Sequence, residues 1–188
     1  MAEPAAVKKG LRCWTNGRIV NYIRLSRDAK EVYLKDYNQL RNTTKHYAGT
    51  KNLREAMAHA AFFEKLRQRG VYPPDAGFAV CKSADGRTGV IAVMPAMEQR
   101  IITDENRSLH FRKTVAKLLG SREAVHWDLQ DENLRQNCGV HPNGKRYFLD
   151  LHAVHPDHRH KLMEWYERHL KEKAARGKKT AKEEAHER

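Results

Sequence analysis

The chain has 188 residues, enough for one domain with a real core or for two very small lobes. Lys and Arg number 36 against 23 Asp and Glu, a formal net charge of +13, and 40% hydrophobic residues argue against a wholly disordered chain. No apolar run approaches the roughly 18 residues of a membrane span, and the first residues lack the apolar core of a signal peptide. Cys13, Cys81 and Cys138 lack CxxC spacing, which argues against a disulfide framework and a structural zinc site.

The N-terminal part predicts an antiparallel meander. The Asn16-Gly17 dipeptide between apolar segments is a strong hairpin signal, and the segments around it are β-rich. The predicted strands are Leu11–Trp14, Arg18–Leu25 and Glu31–Tyr37.

A helix and a hairpin are predicted next. The helix runs from Leu53 to Arg69, between an N-cap at Asn52 and a stop at Gly70. Its apolar residues fit the helical period and are Leu53, Met57, Ala60, Ala61 and Leu66. A second hairpin follows, which Pro95 ends, with strands at Gly77–Lys82 and Gly89–Met94.

The second half predicts helices around a polar loop. A helix is expected over Ser108–Leu119, with an apolar side formed by Leu109, Val115, Leu118 and Leu119. After the loop His126–Asn133 comes a hairpin that turns at Pro142–Lys145 and continues as the strand Arg146–Leu151. Pro156-Asp157 begins a last helix, and from Lys171 the charged sequence predicts a frayed helix or disorder.

Charge is unevenly distributed along the chain. Residues 1–54 hold 12 basic and 4 acidic residues, whereas residues 126–154 hold 3 basic and 4 acidic residues. This distribution is compatible with a site in which carboxylates bind a metal ion and basic residues on the opposite side face a polyanion. Uneven charge also arises by chance. The net positive charge predicts an anionic partner of some kind.

Four residues match the needs of phosphoryl transfer. Asp128 supplies a carboxylate for the acceptor hydroxyl, and Asn133 supplies an amide oxygen from the same loop. Asp150, at the end of an apolar strand, supplies a second carboxylate for magnesium. Lys35, on a predicted strand of the other half, would brace the nucleotide phosphates.

The pattern His126-x-Asp128-Leu129-x-x-x-Asn133 resembles the catalytic loop of the protein-kinase-like superfamily, which includes protein kinases, aminoglycoside phosphotransferases and lipopolysaccharide-core kinases. The order of elements over about residues 10–155 is similar too. The resemblance implies an α+β, two-lobed fold with a five-stranded antiparallel N-lobe plus helix and a strongly reduced helical C-lobe. The lobes would span residues 1–95 and 96–170, with a charged tail over 171–188.

The resemblance also implies roles for single residues. Asp128 would be the catalytic aspartate, Asn133 and Asp150 the metal ligands, and Lys35 the partner of the α- and β-phosphates. His126 would support the loop backbone rather than act as a general base.

Further roles concern the nucleotide. Glu55 is preferred over Glu64 as the helix glutamate that pairs with the strand lysine. The adenine hinge would be Met94-Pro95-Ala96-Met97, and Gly17 would lie at the phosphate-covering tip.

The chain departs from the family pattern in several places. There is no G-x-G-x-x-G motif and no A-P-E, Trp127 and Gln130 replace the usual arginine and lysine, and Asp150-Leu151-His152 stands where D-F-G is expected. Each candidate also has a structural interpretation: Asp128 and Asn133 as a loop pair, Lys35 as a surface lysine and Glu55 as a solvated helix residue. The histidines at 152, 155, 158 and 160 predict a solvated basic turn rather than a metal cluster.

The function that the resemblance implies is an ATP-dependent phosphotransferase that uses Mg²⁺ or Mn²⁺. A protein serine/threonine kinase is the first choice, because the short chain after Asp150 leaves an open face for a protein substrate. A small-molecule or glycolipid acceptor is the alternative. The non-enzymatic alternative is a pseudokinase-like module whose basic surface binds a partner, with nucleic acid less favoured. Minimal kinases of this kind occur among bacterial effectors and phage proteins, so we expect a cytoplasmic protein or one exported into a host cell.

Overall fold

A computed structural model of the chain describes residues 12–14, 43–82, 88–95, 97–99, 105–129, 134 and 137–186. Within these ranges the fold is α+β, with three α-helices and two antiparallel sheets. The predicted strands Arg18–Leu25 and Glu31–Tyr37 lie outside the described residues, as does the Asn16-Gly17 turn.

The first sheet has four strands in the order β1-β3-β4-β2, each pair antiparallel. Its strands are β1 (Arg12–Trp14), β2 (Thr43–Thr50), β3 (Gly77–Lys82) and β4 (Thr88–Pro95). The hairpin β3–β4 was expected from the sequence, whereas β2 was not. The sequence of β2 has no apolar alternation to mark it, and it is the pairing with β4 along its whole length that makes it a strand.

Helix α1 spans Leu53–Gln68 and covers this sheet, packing on β3 and β4. Asn52 caps it, because the side-chain Oδ1 accepts a hydrogen bond of 2.9 Å from the Glu55 N–H. Gly70 follows the helix with φ of 72°, a left-handed conformation that glycine adopts without strain. The bounds match the prediction, but the buried face is centred on Phe62 and Phe63, and Met57 is exposed.

We expect Asn52→Ala to lower the free energy of unfolding by about 1 kcal/mol, because the Glu55 N–H loses its partner at the end of α1. Urea denaturation monitored by circular dichroism would measure the change. Asn52→Ser is the matched control, since a serine hydroxyl can accept the same bond. Equal losses in both variants would show that the cap does not stabilise α1.

The second sheet has three short strands in the order β5-β6-β7, namely β5 (Glu98–Gln99), β6 (Cys138–Val140) and β7 (Arg146–Phe148). The predicted turn over Pro142–Lys145 joins β6 to β7, and Gly144 adopts φ of 78° there. Cys138 is buried, which raises the pKa of its thiol to about 12.

Helix α2 spans Glu105–Leu119 and begins one turn before the predicted start. Its buried residues are Ser108, Phe111, Val115 and Leu119. The prediction that Leu109 belongs to the apolar side is wrong, because Leu109 is exposed. Charged residues separate the apolar positions of this helix, so the sequence did not define which face is buried. The buried face is the one that contains Phe111.

An aromatic cluster joins the two sheets. Tyr72 and Phe148 are both fully buried, and their ring centroids lie 5.8 Å apart. Phe63 from α1 packs on Tyr72 in an edge-to-face arrangement at 5.7 Å. The Phe148 N–H also donates to the Val71 carbonyl at 2.9 Å, so β7 is tied to the turn after α1.

Helix α3 spans Arg159–His186, after a single 3-10 turn at Pro156–His158. The predicted start at Pro156-Asp157 is therefore nearly right, and the helix continues through the charged tail. Its inner face is Leu162, Trp165 and Tyr166, and the Phe62 ring meets Trp165 at 5.0 Å. Among the described residues, no helix is both long enough and apolar enough to cross a membrane.

Candidate active site

Asp128 lies in a single 3-10 turn, Trp127–Leu129, and is buried. Two backbone hydrogen bonds hold the chain around this turn: His126 N–H to the Ala153 carbonyl at 3.1 Å, and His155 N–H to the Ala124 carbonyl at 2.9 Å. The Leu129 side chain in the same turn is fully buried in the core, which fixes the turn in place. The loop that carries Asp128 is thus fixed to the segment that follows Asp150.

Asp150 lies two residues beyond the end of β7. Its carbonyl oxygen accepts a hydrogen bond of 2.6 Å from the buried Tyr72 hydroxyl. Its carboxylate Oδ1 accepts the backbone N–H of His152 at 3.0 Å, which closes a tight turn. These bonds orient the residue from both its main chain and its side chain.

The loop and the strand end meet in a cluster of Asp128, Asp150 and His152. One ligand atom of each residue lies within 4.8 Å of the others. His152 Nδ1 is 2.7 Å from Asp150 Oδ1 and 3.7 Å from Asp128 Oδ2. The two carboxylates expected to act together in phosphoryl transfer are therefore adjacent in space.

His126 contacts Asp128 through one ring nitrogen. His126 Nδ1 accepts the Asp128 N–H at 3.1 Å and lies 3.0 Å from Asp128 Oδ2. Burial lowers the pKa of His126, against the opposing effect of the Asp128 charge. Burial, with the nearby Asp150 carboxylate, raises the pKa of Asp128. A neutral imidazole suits the acceptor role, and a carboxyl of raised pKa is a better proton acceptor for a substrate hydroxyl.

We expect the two histidines to titrate apart. The hydrogen bond to Asp150 raises the pKa of His152, so its NMR titration midpoint should lie above the ordinary value of about 6.5, and that of His126 below it. Because the folded pKa of His152 is raised, its contribution to stability is present below the unfolded pKa and is lost as pH rises through the folded value. Asp150→Asn should lower the His152 midpoint. A single shared midpoint for both rings would contradict this pairing.

The donor set fits a divalent cation. Asp128 and Asp150 offer carboxylate oxygens, which Mg²⁺ and Mn²⁺ both accept, and His152 adds an imidazole nitrogen that Mg²⁺ rarely takes. The predicted metal ligand Asn133 lies outside the described residues.

Glu55, the predicted partner of the strand lysine, is buried in the first turn of α1. Its Oε1 lies 3.4 Å from Arg159 Nε on α3 and 3.8 Å from His59 Nε2. Its Oε2 accepts the Lys51 N–H at 3.0 Å. The interaction with His59, together with the Lys51 N–H and Arg159, lowers the pKa of Glu55 despite its burial. Glu64 is paired as well, since Arg67 on its own helix donates to it at 2.8 Å, so the preference for Glu55 over Glu64 stays a prediction.

Of the other residues predicted to bind the nucleotide, Met94 and Met97 are among the described residues. Lys35, Gly17 and Ala96 lie outside the described residues. Met94 is fully buried at the end of β4, and Met97 is partly buried against the core. The strand between the predicted meander and α1 is β2, in which Lys45 is in register with Val93.

His152 is the residue that sequence reasoning missed. It was assigned to a solvated turn with three other histidines, and its side chain is 58% exposed, but its ring contacts two carboxylates. The spacing Asp150-x-His152 beside a predicted metal ligand was the available signal.

Comparisons with protein-family models, curated proteins and solved structures found no match to this chain.

Proposed function

We propose that this protein is an ATP-dependent phosphotransferase that uses Mg²⁺ or Mn²⁺ and transfers the γ-phosphate to a hydroxyl, with a reduced two-lobed kinase-like fold. The observation that carries the proposal is the meeting of Asp128 and Asp150, from a loop and a strand end, within 4.8 Å. The succession of sheet, α1, hairpin, α2, loop and hairpin also agrees with that fold.

Asp128 orients the acceptor hydroxyl towards the γ-phosphorus and takes its proton as the new P–O bond forms, while ADP leaves. The raised pKa of Asp128 supports this role. Asp150 and His152 would hold the metal together with the predicted ligand Asn133, and a bound cation would neutralise charge at the phosphates.

A protein serine or threonine is the acceptor that we favour. Trp127 is 51% exposed next to Asp128, and an exposed aromatic ring suits contact with a macromolecule. A small-molecule or lipopolysaccharide-core acceptor is the alternative within the same chemistry.

A non-catalytic binding module is the second candidate. The pairing of Glu55 with Arg159 favours it, because this glutamate is already occupied by a cation other than a strand lysine. The module would use the basic surface of the chain to hold a partner.

One assay separates these functions. The purified chain is incubated with γ-labelled ATP, Mg²⁺ or Mn²⁺, and a phosphatase-treated lysate, and the label is followed into protein, lipid and small-molecule fractions. Label in protein supports the favoured acceptor, and label in lipid or small molecules supports the alternative. Absence of transfer, together with a melting temperature unchanged by ATP and Mg²⁺, would overturn the phosphotransferase proposal.

Two lysines are candidates for the residue that contacts the nucleotide phosphates. Lys35 was selected from sequence, and Lys45 lies on the strand that precedes α1. We expect Lys→Met at the true brace to lower kcat/KM by about 10²–10³-fold, as for loss of a preorganised charge at the phosphates. The comparison of Lys35→Met with Lys45→Met would identify the residue, and Lys51→Met, at an exposed position, is the control. Unchanged activity in both test variants would refute a lysine brace on these strands.

A further inference from the structure

A cavity of about 450 Å³ opens where the turn after α1, the start of α2 and the β6–β7 turn come together. It is lined by Gly70, Arg107, Gly144, Lys145, Arg146 and Tyr147. A cavity of this size is within the range that binds small ligands. Among these described lining residues there are three cations and no carboxylate. Asp75, in the segment between α1 and β3, lies 3.2 Å from His141 Nε2 and is paired there.

The wall of the cavity is held in place by its own hydrogen bonds. The Arg107 guanidinium donates to the Gly70 carbonyl at 3.0 Å and to the Arg146 carbonyl at 3.1 Å. Its central carbon also lies 4.9 Å from the centre of the Phe111 ring and 5.7 Å from that of Tyr147. The position of this cation is therefore set before any ligand arrives.

The turn that carries the other two cations is equally well ordered. Asn143 Oδ1 accepts the Lys145 N–H at 2.9 Å, and Asn143 Nδ2 donates to the Tyr147 hydroxyl at 3.1 Å. The Gly144 N–H already donates to the His141 carbonyl at 2.8 Å. Because this backbone N–H is used, recognition falls to side chains, and Lys145 and Arg146 line the cavity together with Arg107.

We propose that this cavity is a binding site for a phosphate-bearing small molecule, separate from the Asp128–Asp150 cluster. Arginine and lysine side chains bind phosphate oxygens through charge-assisted hydrogen bonds, and two arginines with one lysine match a phosphomonoester or a diphosphate. The volume exceeds that of phosphate alone, so a phosphorylated sugar or nucleoside could enter beside Tyr147. This site does not depend on the proposed phosphotransferase activity.

The test is a titration of the full chain with pyrophosphate, inorganic phosphate and a ten-nucleotide single-stranded DNA, in EDTA so that no metal bridges the carboxylate cluster. The amide NMR signals of Gly70 and Gly144 are the readout. We expect saturable shifts with pyrophosphate and, more weakly, with phosphate. The double variant Lys145→Ala/Arg146→Ala should weaken binding by about tenfold or more, since it removes two charge-assisted contacts.

The control Lys113→Ala/Arg122→Ala removes one lysine and one arginine from exposed positions of α2 and the loop after it, and should bind as the unmodified chain does. The test variant Lys145→Ala/Arg146→Ala should fold, because Arg107 donates to the backbone carbonyl of residue 146, which the substitution keeps. Equal weakening in the two double variants, absence of saturation, or binding of DNA without binding of pyrophosphate would each overturn the proposal. Asp128→Asn should leave pyrophosphate binding at this cavity unchanged. The phosphotransferase proposal can therefore fail without changing the result of this titration.

Discussion

Asp128→Asn should lower the rate of phosphoryl transfer by about 10²–10⁴-fold, the usual contribution of a positioned general base. The amide has nearly the same shape as the carboxylate but cannot take the hydroxyl proton. Initial rates of label transfer from ATP measure the effect. Since the amide can still occupy the site beside His126, we expect the fold to be retained, which circular dichroism and the melting temperature would verify.

The matched control is Asp157→Asn, which makes the same chemical change at a carboxylate that is 84% exposed in the next 3-10 turn. It should leave the rate within a factor of about two, because an exposed carboxylate contributes little. Transfer that survives in Asp128→Asn at the rate of the control would remove Asp128 from the proposed mechanism. A rate lost equally in both variants would point to damage of the segment from Asp150 to Asp157 rather than to lost chemistry.

Local signals in the sequence were sufficient for the bounds of α1 and for the β3–β4 and β6–β7 hairpins, whereas the hairpin predicted at Asn16-Gly17 lies outside the described residues. Asn52 and Gly70 bounded α1 within one residue, because a side-chain cap and a left-handed glycine act on the backbone next to them. Pro142–Lys145 gave the β6–β7 turn for the same reason. The buried faces were harder: Met57 and Leu109 fit a helical stripe but are exposed, because neighbouring aromatic residues set the rotation of each helix.

Strand β2 shows where sequence reasoning ends. Thr43–Thr50 has no apolar alternation, and its strand conformation comes from pairing with β4 across the segment that contains α1. A contact between segments so far apart in the chain is not encoded in either of them alone. The same limit applies to Lys45, which only this pairing places on the strand next to α1, whereas the predicted Lys35 lies outside the described residues.

The two carboxylates of the candidate site were predictable from the sequence, but its geometry and its histidine His152 were not. The spacing of His126, Asp128 and Asp150 singled out the carboxylates, whereas their adjacency depends on the Val125–Val154 bridge and on the Tyr72 hydroxyl. His152 entered the cluster only through that geometry. Its ring is directed to Asp150 by the tight turn that the Asp150 carboxylate itself forms.

Tyr72 connects the hydrophobic core to the site, so the stability of the core should matter to both. Its ring packs on Phe63, Phe78 and Phe148, and its hydroxyl donates to the Asp150 carbonyl. A cavity beside this ring would loosen the hydrogen bond that the Tyr72 hydroxyl donates to the Asp150 carbonyl. Phe63 is the member of the cluster on α1, and it contacts both Tyr72 and Phe78.

Phe63→Ala should lower the free energy of unfolding by about 3–5 kcal/mol, because it removes a fully buried ring and leaves a cavity against Tyr72. Met57→Ala on the same helix is the control; Met57 is 40% exposed, and its replacement should change stability by no more than about 0.5 kcal/mol. Urea denaturation gives both values. Should Phe63→Ala fail to fold, Phe63→Leu fills part of the space and should lose roughly 1–2 kcal/mol. If Phe63→Leu and Met57→Ala lose the same amount, the aromatic cluster is not the principal core of this fold.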